Sequence, residues 1–251
     1  MTYCCGLLVE DGLVMIADTR TNAGLDNVST FRKLHIFQQP GEYVMMIATA
    51  GNLSITQAVI NAVTEGIENP DTHELETLIG VDSMFKAAQL IGRAVRKVRD
   101  QDGEALEQAN LRFEVSFLFG GQHKGRRLRL FNIYAAGNFI ECAPDAPFLQ
   151  IGEHKYGKPI LDRAVNYKSD LYDALKIGLI SMDSTMRSNL GVGLPIDIAV
   201  LRRDTEELEV DTRIDNTDGY FHELRDRWSV ALKAAHMAIP RPPYGTRKPN
   251  P

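Results

Sequence analysis

Several ingredients are scarce in this sequence, and each scarcity removes a class of protein. Cysteine occurs three times in 251 residues, as Cys4, Cys5 and Cys142. That supports neither a disulfide framework nor the paired spacing of a zinc site, and it fits a reducing compartment. No stretch approaches the roughly 20 consecutive apolar residues that span a bilayer. The N-terminus also lacks the basic region and small-residue cleavage site of a signal peptide. Basic residues are in deficit, 28 Lys+Arg against 33 Asp+Glu for a formal charge of −5, so there is no electrostatic footprint for nucleic acid or an anionic membrane surface. No phosphate-binding glycine loop, internal repeat or linker of Pro, Gly and Ser interrupts the chain. The expectation is a cytoplasmic protein without cofactor or metal. It has one domain over residues 1–239 and a proline-rich, extended tail over 240–251.

What is present begins with strands. Tyr3 to Val9 and Leu13 to Ala17 are short β-favouring runs around Glu10-Asp11-Gly12, which predicts an antiparallel hairpin. The polar stretch from Thr19 to Asn27 reads as a loop, followed by a second pair at Leu34 to Gln38 and Tyr43 to Ala50. Val44-Met45-Met46-Ile47-Ala48 shows no polar alternation, and Val115-Ser116-Phe117-Leu118-Phe119 shows only one small serine. A hairpin sheet with one wet face alternates, so these strands are expected to be covered on both faces.

The covering layers are helices. Ile55, Val59, Ala62 and Val63 form one apolar stripe, and Met84, Ala88, Ile91, Val95 and Val98 form another, spaced four, three, four, three. Leu171, Leu175, Leu179, Met182 and Met186 repeat the pattern, and Phe221, Leu224, Trp228 and Leu232 mark a last helix. Further strands are predicted at Phe113 to Phe119, Arg127 to Ala135, Phe148 to Ile151, Ile196 to Leu201 and Leu208 to Arg213, with Gly120-Gly121 as a turn. Strand blocks separated by helices define an α+β protein, a four-layer α-β-β-α sandwich of two stacked antiparallel sheets.

The chemistry is concentrated at the start of the chain. Removal of Met1 would leave Thr2 with a hydroxyl and a free α-amine on one residue. Thr2 opening the first hairpin, Ala17-Asp18 closing it, Arg32-Lys33 entering the next strand and Ala48-Thr49-Ala50-Gly51-Asn52 leading into a helix resemble proteasome-type β-subunits of the N-terminal-nucleophile hydrolases. Three longer stretches resemble the bacterial ancestral beta subunit branch, Anbu: Asp18 to Gly24, Ser29 to His35 and Ile151 to Leu161. The resemblance runs to about residue 238 and is strongest over the first 55 residues.

The resemblance implies a threonine peptidase of this class. A threonine hydroxyl is too weakly acidic to attack an amide unaided. Its own α-amine, with an unperturbed pKa of about 7.7–8.0, can take the proton directly or through a water. Lys33 would favour the neutral amine and stabilise developing negative charge, Asp18 would hold Lys33, and the Gly51 N–H would serve the oxyanion. Thr21, Asn22, Ala23, Thr49 and Asn52 would line the substrate pocket. The resemblance also implies a homo-oligomer, ring or spiral, and leaves room for an ATP-dependent or other accessory partner.

Three departures are visible. Ser188 and Gly191 stand where many relatives carry an aspartate and a serine, within Arg187-Ser188-Asn189-Leu190-Gly191. Gly152-Glu153-His154 replaces a Gly-Ser-Gly turn, so Glu153, Ser188 and Asn189 are the candidates for supporting roles. Lys33 is also one residue nearer to Asp18 than in most relatives. Alternatives therefore stay open: a non-catalytic, self-assembling ring or spiral scaffold, or a non-proteolytic amide hydrolase. A thiol mechanism through Cys4 or Cys5 is disfavoured, because mid-strand cysteines behave as small buried hydrophobes.

Overall fold

A computed structural model describes residues 1–22 and 28–244. They form two compact units, the first Met1–Thr217 and the second beginning at Asp218. Within the first unit the strands are β1 (Tyr3–Val9), β2 (Gly12–Asp18), β3 (Arg20–Asn22), β4 (Val28–Thr30), β5 (Leu34–Gln39) and β6 (Tyr43–Gly51). Next come α1 (Leu53–Glu65), the short strands β7 (Ile67–Glu68) and β8 (Leu75–Glu76), and α2 (Met84–Gln108). Then follow β9 (Val115–His123), β10 (Arg129–Tyr134), β11 (Phe139–Glu141), β12 (Phe148–Gly152), α3 (Lys158–Ala164), α4 (Leu171–Ser188), β13 (Ile196–Arg202) and β14 (Val210–Ile214). The second unit holds α5 (Gly219–Ala238), whose N-cap Asp218 accepts the Phe221 N–H at 2.7 Å. Of the apolar stripe predicted there, Phe221 and Leu224 are buried while Leu232 is half exposed. Residues 245–251 of the predicted tail lie outside the described residues.

Two five-stranded sheets stack in the order β12-β1-β2-β13-β14 and β11-β10-β9-β6-β5. All their strand pairs are antiparallel. Period-two alternation divides each buried strand between two cores. Cys4, Leu8, Leu13, Met15 and Ala17 meet Val44, Met46, Ala48, Leu118 and Leu130 between the sheets. The opposite faces carry Met45, Ile47, Phe117, Phe119 and Phe131 against Ile55, Val59, Ala88, Ile91 and Val95 of α1 and α2. On the far side α4 packs on β1 and β2. Gly178 of that helix lies against Ile16 and Leu7, and the Tyr3 hydroxyl meets the Ser181 hydroxyl at 3.0 Å. The predicted four layers are thus present, and the unalternating runs are covered on both sides.

Two local expectations are corrected. Gly120-Gly121 is not a turn: β9 runs through to His123, and the reversal falls at Lys124-Gly125, where Arg126 N–H bonds to the His123 carbonyl at 2.9 Å. The glycines serve close approach instead. A Cβ on Gly120 would stand 2.6 Å from Leu13 across the sandwich, and one on Gly121, at φ +150°, 2.0 Å from the Val44 carbonyl oxygen. The segment read as a loop after Asp18 contains a two-stranded ribbon, with Thr21 paired to Ser29 between β3 and β4. Short polar strands of this kind give no hydrophobic periodicity to read.

Helix α2 offers a test of the packing. Alanine normally stabilises a helix interior relative to glycine, yet a Cβ on Gly92 would meet the Gly137 carbonyl oxygen at 2.2 Å. The Gly92→Ala variant is expected to lose about 1–3 kcal/mol through overpacking against backbone. On the same helix the nearest atom to a Cβ on Gly103 is Arg99 Cγ at 3.6 Å. Gly103→Ala is therefore expected to gain about 0.5–1 kcal/mol. Urea unfolding of both variants checks the opposite signs.

Candidate active site

The site is assembled where the ends of both sheets meet. Thr2 immediately precedes β1, is buried, and has its carbonyl oxygen bonded by the Glu153 N–H at 2.7 Å. Gly152, at φ +79°, makes that approach feasible, since a Cβ there would stand 2.0 Å from the same oxygen. Pairing of Tyr3 with Gly152 in the β1–β12 ladder holds the two segments in register.

Asp18 ends β2 with no exposed surface. Its Oδ1 accepts from the Lys33 ammonium at 2.8 Å and from the Tyr3 N–H at 3.1 Å, while Oδ2 accepts from the Gly193 N–H at 3.4 Å. Lys33, just before β5, is also buried, and its Nζ donates to the Arg20 carbonyl at 2.6 Å. Burial pushes the Asp18 carboxyl above the ordinary carboxylate range, against the opposing pull of Lys33 and the two backbone donors. The pair is therefore a desolvated charge pair whose members depend on one another.

Gly51 closes β6 at φ +109°, where a Cβ would stand 2.1 Å from the Glu114 carbonyl oxygen. The backbone alone requires glycine here, whatever chemistry follows. Asn52 caps α1, its Oδ1 accepting from the Ser54 N–H at 3.0 Å and the Ser54 hydroxyl at 2.8 Å. That cap fixes the side chain of a residue expected to line the substrate pocket.

Thr2, Lys33, Gly51 and Asn52 share one cavity of about 500 Å³, and Asp18 lies behind Lys33 rather than in the cavity wall. Its walls include Thr2, Lys33 and Gly51, together with Thr21, Thr49 and Asn52 from the expected substrate pocket. Met1, Ala50, Leu53, Thr56 and Leu111 complete the lining, and none of these five was expected in the pocket from the sequence. Leu111 comes from the segment between α2 and β9, far from the others in the chain, so periodicity carried no hint of it. Ala23 lies outside the described residues, and of Asn22 only the backbone is described.

The supporting candidates divide. Glu153 is bonded to Asn189, whose Nδ2 donates to Glu153 Oε2 at 3.2 Å. Asn189 Oδ1 accepts the Gly191 N–H at 2.9 Å. Ser188, the exposed last residue of α4, does not line the cavity. Gly191 instead packs against Met1: a Cβ would stand 2.8 Å from the Met1 Cβ. Both early cysteines are buried, and desolvation pushes the Cys5 thiol up to about 12 and Cys4 well above its usual value. A thiol so placed gives almost no thiolate at neutral pH.

A buried β1–β2 hairpin that brings Thr2 to a cavity beside a sealed Asp–Lys pair, within two stacked sheets flanked by helices, is the architecture of proteasome-type β-subunits. Solved structures agree. Anbu from Hyphomicrobium sp. strain MC1, a Gly-1 mutant, is 47% identical over 96% of this chain and 99% of its own, with a TM-score of 0.87. Anbu from Yersinia bercovieri is 43% identical over 97% of this chain and 100% of its own, at 0.87. The Anbu complex from Pseudomonas aeruginosa, described as a helical assembly, is 41% identical over 98% of this chain and 100% of its own, at 0.88. The chain belongs to the Anbu, or ancestral beta-subunit, family. Comparison with family models and with curated protein sequences returns no match.

The buried pair makes a prediction of definite sign. Lys33→Met leaves the Asp18 carboxylate buried without its counter-charge, and a loss of about 3–5 kcal/mol at neutral pH is expected. Because burial raises the Asp18 pKa above 3.8, the folded chain holds a proton just above that pH which the unfolded chain has released. Asp18 therefore draws stability down as pH climbs through that window. In Lys33→Met the main lowering influence on Asp18 is gone, so the decline is expected to be steeper and to extend to higher pH than in the parent. Unfolding free energies measured in urea at a series of pH values check both results.

Proposed function

We propose that the chain is a proteasome-like threonine hydrolase acting on peptide or related amide bonds. The observation that carries this reading is the shared cavity, whose walls include both Thr2 and Lys33, with Lys33 fixed by Asp18 behind it. With Met1 removed, the Thr2 amine accepts the proton of its own hydroxyl, directly or through a water, as Oγ attacks the amide carbonyl. Lys33 disfavours the protonated amine and stabilises the negative charge that develops, while the Gly51 N–H donates to the oxyanion. Collapse of that intermediate breaks the C–N bond. The leaving amine takes the proton, and an acyl ester remains on Thr2. Water then attacks the ester, returns a proton to the hydroxyl and releases the carboxylate.

The lining also bears on substrate. Thr21, Thr49, Ala50, Leu53, Thr56 and Leu111 carry no charge, and Lys33 spends two of its three donors on Asp18 and the Arg20 carbonyl. An uncharged residue is the better fit. The working form is a homo-oligomer in the cytoplasm, by analogy with the helical assembly of the Pseudomonas aeruginosa relative. A scaffold reading draws on the packing of Met1 against Gly191, because a chain that keeps Met1 has no free Thr2 amine.

Turnover of peptidyl amides by chain with N-terminal Thr2 tests the proposal. Thr2→Ser is expected to retain reduced activity and Thr2→Ala none. Neutral residues before the scissile bond should be favoured over charged ones by roughly tenfold or more, since a charge buried there finds no partner. Full turnover by Thr2→Ala would sink the mechanism.

A further inference from the structure

Two loops enclose the Met1–Thr2 linkage. On one side the Glu153 N–H holds the Thr2 carbonyl at 2.7 Å, with Gly152 pressed against the same oxygen. On the other, Gly191 packs against the Met1 side chain. Asn189 joins the two, donating to the Glu153 carboxylate at 3.2 Å and accepting from the Gly191 N–H at 2.9 Å. The Glu153 side chain is only 11% exposed, whereas Lys155, its ion-pair partner at 4.0 Å, is 73% exposed. A pair at that distance with its cation in solvent contributes little. Asn189 fills one of the roughly four lone-pair positions of the carboxylate, so a nearly buried anion has acceptor capacity to spare.

We infer that Glu153, held by Asn189, is the positioning residue for the Thr2 α-amine once Met1 is gone, fixing its orientation and its affinity for a proton. The inference rests on the proposed function only in requiring that Thr2 become N-terminal. An ammonium brings three donors and a positive charge into the space that Met1 vacates. The carboxylate meets both needs.

The charged groups around the amine then oppose one another. Lys33 disfavours the protonated amine, and its partner Asp18 tempers that effect. Arg20 is turned onto the Leu190 carbonyl at 3.0 Å, and Arg187 onto Asp183 at 2.9 Å. His154 engages the Gly152 carbonyl through its ring at 3.2 Å, and Lys155 lies outside with the solvent. Glu153 is the anion that counters Lys33 from the β12 side. Its pull keeps the amine from being driven so low in pKa that it becomes too weak a base.

The test reads the amine itself rather than turnover. Protein whose intact mass shows N-terminal Thr2 is treated with trace acetic anhydride across pH 5 to 10, roughly two to three units either side of the ordinary amine pKa. Acetylation of the Thr2 peptide is then quantified by mass spectrometry. Glu153→Gln is expected to lower the midpoint by about one pH unit, the low end for loss of a nearby opposite charge. Glu153→Asp should restore most of that shift, and Asn189→Ala should lower the midpoint by less. An unchanged midpoint in Glu153→Gln overturns the inference, and so does a loss of stability without a midpoint shift, which would make Glu153 merely structural. A shifted midpoint in a protein that hydrolyses nothing upholds the inference and defeats the proposed function instead.

Discussion

The Asp18 carboxylate and the Lys33 ammonium, 2.8 Å apart and both sealed from water, constrain everything around them. Neither charge is tolerable there alone, because removing either partner strands the other in a medium that cannot solvate it. The surrounding chain supplies the remaining partners: the Tyr3 and Gly193 N–H groups for the carboxylate, the Arg20 carbonyl for the ammonium. Those contacts draw together the start of β1, the end of β2, the entry to β5, the β3 ribbon and the segment before β13. Thr2 is held one residue from this knot, and its position follows from the knot's geometry.

The sandwich makes the knot attainable by letting backbones approach closely. Gly152 against the Thr2 carbonyl, Gly51 against Glu114, and Gly120 against Leu13 all occupy places where a side chain would collide. Each collision would be with backbone or with the facing sheet. The cavity is the space left beside that packing, walled mainly by hydroxyl-bearing and aliphatic side chains together with Lys33 and Asn52. A site of this type depends on pre-set positions more than on any unusual residue.

Much of this was legible in the sequence. The unalternating runs of β6 and β9 announced strands buried on both faces, and the four-three spacing of α2 announced its packed face. Thr2, Asp18, Lys33 and Gly51 were visible as residues through their placement at strand ends and through the family resemblance. What escaped was whatever depends on pairing between distant segments. Gly120-Gly121 has turn composition, yet it is strand because a facing sheet presses on it. Arg20 and Gly193 act through backbone atoms, which every residue type possesses, so their identity carried no signal. Leu111 and Met1 reach the cavity from segments without periodicity. Asn52 both caps α1 and lines the cavity, two roles that the residue type alone does not separate.

The account turns on Thr2 being the atom donor for covalent chemistry, and the most direct measurement locates that bond. Chain with N-terminal Thr2, treated with a threonine-directed β-lactone and then digested, is expected to carry a single ester adduct on the Thr2 hydroxyl, absent from Thr2→Ala. An adduct mapped to Cys4, Cys5 or any other side chain, or equal labelling of Thr2→Ala, would contradict it.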